Sequence, residues 1–78
     1  MRVWLTSQAQ VQLQDLNPAQ VRRIMRTLRQ EARKTRRAHR RRRIDPSITK
    51  LYVPSLAVLT VYRSRRVVLL LSIHRLPS

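Results

Sequence analysis

The chain has no cysteine, no glycine and no phenylalanine among its 78 residues, and only three acids. Each absence excludes something. Without cysteine there is no disulfide and no thiolate metal site, and nothing points to an oxidising compartment. Without glycine there is no glycine-rich loop to cradle a phosphate. Every turn falls to Pro, Asn, Asp or Ser, which favours short, simple connections. The two histidines and three acids lie far apart, without metal-ligand spacing, so the sequence calls for no metal and no cofactor. Long apolar runs are missing as well. The longest, Val67 to Leu71, is far below the roughly 18 residues that span a bilayer. The first residues lack the apolar core and small-residue cleavage site of a signal peptide. These readings predict a cytoplasmic protein without a membrane partner.

What is present is positive charge. Eighteen Lys and Arg residues against three acids give a formal net charge of +15. Twelve of the eighteen lie between Arg22 and Arg43, a stretch with one acid, Glu31. Charge this dense and one-sided predicts a polyanionic partner, most simply nucleic acid. An acidic protein segment fits the same charge. The alternative without function is a solvated helix face. Seventy-eight residues make one small domain, 1–78, whose core leaves little stability to spare. Repulsion among the cations lowers it further.

The apolar spacing orders the chain. Val3, Trp4 and Leu5 predict a short strand, with Trp4 in the core. Thr6 or Ser7 suits the cap of a short helix, and Ala9, Leu13 and Leu16 share one face of it. Asn17-Pro18 closes that helix and opens another, with Gln20 placed for a capping box. Val21, Ile24, Met25, Leu28 and Ala32 then recur at helical spacing. Arg22, Arg26, Arg29, Arg33, Arg36 or Arg37, and Arg40 advance by three or four residues on the other side, as a basic stripe. Beyond Ala32 the apolar face runs out, so 33–43 is expected to be a frayed extension or a mobile basic arm. Asp45-Pro46-Ser47 marks a turn. After it, Ile48 to Val53, Leu56 to Tyr62 and Val67 to Ile73 read as three strands. The last is apolar enough to be covered on both faces. The fold class is α+β: a strand, a two-helix hairpin, then a three-stranded, mostly antiparallel sheet.

This order, with particular residues, resembles the RelE/ParE family of toxins from bacterial toxin–antitoxin systems. Val3-x-Leu5-Thr6-x-x-Ala9-x-x-x-Leu13-x-x-Leu16 is similar to the family's first strand and helix. Asn17-Pro18 before Ile24 and Leu28 is similar to its second helix. Val58 to Ile73 resembles its closing hairpin, and Ile73-His74-Arg75 the "HR" ending of many members. The sequence also departs from the family. An Arg-x-Gly-x-Tyr-Arg stretch is common there before the penultimate strand. Tyr52 to Ala57 stands in its place, without the arginines, the glycine or the motif's tyrosine, so that part of the family's site is not carried over.

The resemblance implies ribosome-dependent cleavage of messenger RNA, with RNA or the ribosome and an acidic antitoxin as partners. Metal-independent RNA cleavage needs a base, an acid and cations at the phosphate. On this reading the catalytic residues are His74, Arg75 and Lys50. His74 suits an acid or base because an imidazole titrates near neutrality; its bland alternative is an exposed strand-end residue. Arg75 reaches the same phosphate only if the strand ends at about His74. Nucleic-acid contacts are expected from Arg22, Arg26, Arg29, Arg33, Arg36, Arg37, Arg40, Arg41, Arg42 and Arg43, with Tyr52 for stacking and Arg63 in support. Two other functions stay open. One is a non-catalytic RNA-binding or ribosome-associated protein. The other is a ParE-like inhibitor of DNA gyrase.

Overall fold

The computed structural model describes residues 2–42 and 45–77. The elements run β1 (Arg2–Leu5), α1 (Ser7–Gln14), α2 (Pro18–Arg41), β2 (Ser47–Val53), β3 (Ala57–Arg63) and β4 (Val67–Arg75). The fold is α+β, as the periodicities predict. The sheet has four strands, in the order β1-β4-β3-β2. The last three strands pair antiparallel, and β1 joins the free edge of β4 in parallel. The three-strand expectation is thus corrected to a mixed sheet of four. β1 is only four residues long, but the apolar run of β4 offers it a partner along its whole length.

Both helices begin where their caps dictate. The Thr6 side chain accepts from the Ala9 amide at 3.1 Å, and its hydroxyl donates to the Leu71 carbonyl at 2.8 Å. Asn17 and Gln20 form the reciprocal capping box, with Pro18 in the first turn.

One core cluster holds the fold together. Ala9, Leu16, Ile24, Leu28 and Ala32 pack against Val53, Ala57, Leu59, Val61, Val68, Leu70 and Ile73. In the strand register these strand residues all fall on one side, so both helices cover a single face of the sheet. The opposite face is bare. Val67, Leu69 and Leu71 of β4 are half-buried there, so β4 is not covered on both sides.

α2 also differs from expectation. It does not end near Ala32 but continues to Arg41. The buried stripe runs on through Glu31 and Thr35, polar residues that apolar spacing does not register. His39, Arg40 and Arg41 occupy the last turn, where the helix dipole favours cations. The basic segment is therefore helical through Arg41, and Arg43 lies outside the described residues.

At the middle of β4 the pairing with β3 slips by one residue, between Thr60 and Val61. The partners step from Ser72 to Leu70, leaving Leu71 as a bulge. Here β1 has ended, and α1 takes over its role. The Thr6 amide donates to the Leu70 carbonyl, the Thr6 hydroxyl to the Leu71 carbonyl, and the Ile73 amide to Gln12 Oε1 at 2.7 Å.

Candidate nucleic-acid interface

α2 buries one stripe and exposes the rest. Arg22, Arg26, Arg29, Arg33 and Arg36 are exposed and climb the helix at steps of three or four. At about 1.5 Å per residue they extend over about 21 Å. Arg22, Arg26, Arg29 and Arg33, with Gln30, line an open cleft of about 370 Å³. Arg29 and Arg33 also line the next cleft, of about 230 Å³, with Arg36 and Val3. Arg36 passes into a third, of about 640 Å³, with Arg2, Trp4, Arg65, Arg66 and Val67. Each cleft shares an arginine with the next. The result is a continuous basic track from the start of α2 to the free edge of β1.

A second basic flank lies along the C-terminal part of the helix. Lys34, Arg37, Arg41 and Arg42 line a cleft of about 430 Å³ with Ala38. Arg40 is exposed between them. Only one salt bridge is formed among the described residues, between Arg63 and Glu31. α2's one acid is thus turned inward and neutralises none of its own arginines.

Arg63 is not on the track. Its Nη1 donates to Glu31 Oε1 at 3.0 Å and its Nε to Ser47 Oγ at 3.2 Å. Strand alternation puts Arg63 on the helix side of β3, level with α2's acid. The expectation that it contacts nucleic acid is replaced by a structural role, joining α2, β2 and β3.

The other expected residues sit on the bare face of the sheet. Tyr52, Val58 and His74 are directly opposed across β2, β3 and β4. Lys50, Thr60 and Ser72 form the next row, and Lys50 Nζ donates to Thr60 Oγ1 at 3.3 Å. Lys50, Tyr52 and His74 are all exposed. Lys50 and His74 share this face, two strands and one row apart, or about 12 Å between Cα atoms. Arg75 does not join them. β4 runs on through Arg75, which pairs with Ala57 on the helix side. The two neighbours in His74-Arg75 therefore point to opposite faces, so the three expected catalytic residues are not gathered on one surface.

A third row crosses the whole sheet. Ile48, Tyr62, Leu69 and Trp4 are aligned from β2 to β1. Trp4 is 55% exposed, so its expected place in the core is corrected. The register gives the reason: Val3 and Leu5 turn to the core, while Arg2 and Trp4 turn to the bare face. Arg2, Trp4, Arg65 and Arg66 are functional candidates that the sequence reading missed. The signal was there in Arg2, whose charge marks the parity of Trp4 as wet. No helix among the described residues is long and apolar enough to cross a membrane.

No family model matches this chain, and no curated protein or solved structure matches it.

Proposed function

We propose that the protein is an RNA-binding domain that grips phosphate backbone along α2. The observation that carries this is the chain of shared arginines linking three clefts, from Arg22 through Arg36 to Arg66. Guanidinium groups suit the task, because their forked donors match phosphate oxygens. RNA is favoured over duplex DNA by the exposed aromatic rings of Trp4 and Tyr52, which can stack on unpaired bases. The test is titration of a labelled RNA hairpin at several salt concentrations. Replacing Arg22, Arg26 and Arg29 by Ser should weaken binding to every sequence. It should also reduce the slope of log affinity against log salt by about 2–3, at roughly 0.7–0.9 for each phosphate that is no longer neutralised. Unchanged affinity and slope would overturn the proposal.

A second reading keeps the RNA and adds chemistry: a RelE/ParE-type toxin cleaving messenger RNA on the ribosome, countered by an acidic antitoxin. It is supported by the order strand, helix, helix, strand, strand, strand, and by His74, Lys50 and Tyr52 sharing one open face. Here His74 acts as acid or base and Lys50 meets the phosphate. Expression should then arrest growth, and His74→Ala should relieve the arrest while Arg75→Ala should not. Growth and translation untouched by the folded protein would sink this reading. Arrest with intact translation and blocked supercoiling would move the target to gyrase.

A further inference from the structure

We propose that the cleft around Trp4 is a base-stacking subsite for a single-stranded stretch of nucleic acid, with Arg36, Arg65 and Arg66 on the flanking phosphates. The inference rests on the RNA-binding reading and names the part of the RNA that enters. Four segments of the chain converge here. Arg2 and Trp4 come from β1, Arg36 from α2, Arg65 and Arg66 from the β3–β4 connection, and Val67 from the start of β4. Four arginines lining one cleft repel one another, which disfavours the folded state unless an anion is bound there. The ring itself is more than half exposed on an edge strand. An exposed indole among arginines presents what an unpaired nucleotide needs: a flat face for the base and charge for the phosphates. A duplex offers only the phosphates, since its bases are already stacked. The volume of about 640 Å³ lies within the range of about 300–1,000 Å³ typical of small-ligand clefts. The cleft is the end of the α2 track, because Arg36 lines both. RNA held along the helix would therefore deliver its unpaired end to Trp4.

Trp4 is the chain's one tryptophan, so its emission reports this cleft alone. The experiment titrates the protein with a short oligoadenylate, an abasic strand of equal length, an RNA duplex and AMP, following emission and affinity together. The oligoadenylate should quench Trp4, and the abasic strand should bind about tenfold more weakly without comparable quenching. Trp4→Leu should weaken oligoadenylate binding about tenfold and leave duplex affinity within about twofold. Trp4→Phe, which keeps a ring, should retain most of the oligoadenylate affinity; circular dichroism confirms that both variants are folded. Equal binding of the oligoadenylate and the abasic strand would overturn the subsite. So would an equal loss on all ligands in Trp4→Leu. Quenching by AMP at the strand's own affinity would make the cleft a free-nucleotide pocket and overturn the strand assignment. Duplex binding with a silent Trp4 defeats the subsite alone. No binding of any RNA defeats the RNA-binding reading with it.

Discussion

The Glu31 carboxylate accepts from the Arg63 guanidinium at 3.0 Å, joining the middle of α2 to the end of β3. Glu31 is nearly buried, while a third of the Arg63 side chain remains exposed. Arg63→Met leaves the carboxylate buried without its partner and should cost about 2 kcal/mol in urea unfolding. Glu31→Gln keeps an acceptor in place and should cost less. The double replacement Glu31→Leu with Arg63→Met should recover part of the loss, because neither charge is then stranded. RNA affinity should stay within about twofold in Arg63→Met, since that side chain lies off the basic track. A loss as large as that of the Arg22, Arg26 and Arg29 replacement would return Arg63 to the interface.

The strands, caps and apolar half of α2 were legible because each obeys a short-range rule. Thr6, Asn17 and Gln20 sit where a first turn needs acceptors, and Ile24 and Leu28 repeat at helical spacing. What escaped depends on long-range partners. The second half of α2 is anchored by Glu31 and Thr35, and nothing local says that a glutamate will meet an arginine 32 residues away. Trp4 was misplaced for a related reason. Its size argued for the core, but only the pairing of β1 with β4 fixes which alternate residues face inward. The opposed directions of His74 and Arg75 follow from a strand end that the sequence left open.

Gln12 should prove a sheet residue in all but location. Its side-chain oxygen accepts from the Ile73 amide at 2.7 Å, beyond the point where β1 stops. Gln12→Leu removes that acceptor from a half-buried amide and should cost about 1–2 kcal/mol. Amide exchange read residue by residue should show Ile73 losing protection while Val68 and Leu70 keep theirs. If Ile73 exchanges as before, the bond is not what holds that part of β4.

The two basic flanks of α2 should not be equivalent in RNA binding. The track of Arg22, Arg26, Arg29, Arg33 and Arg36 leads to the Trp4 cleft, whereas Lys34, Arg37 and Arg41 face a separate cleft. Replacing Arg29, Arg33 and Arg36 by Ser should cost more affinity for single-stranded RNA than replacing Lys34, Arg37 and Arg41, at equal loss of charge. Equal losses in filter binding would mean that net charge alone governs the contact.

Thr35 is 3% exposed, and its hydroxyl has no hydrogen-bond partner among the described residues. A buried unpartnered hydroxyl carries a desolvation cost of about 1–3 kcal/mol. Thr35→Val keeps the shape and removes that group, so it should raise stability by about 1 kcal/mol. At this chain length that is a Tm increase of about 4–8 °C. A fall in Tm would reveal a bond to the hydroxyl.

Ser55 is the one described residue with a positive φ, at 63°, in the turn between β2 and β3. An L-residue with a side chain is disfavoured there by about 1–2 kcal/mol, and glycine would relieve the clash. Glycine would also widen the range of conformations open to the denatured chain, which opposes folding by about 0.4–1 kcal/mol. The second effect offsets about half of the first. A chain without glycine thus owes part of its stability to how few conformations it gives up, and this one strained serine leaves that advantage nearly whole.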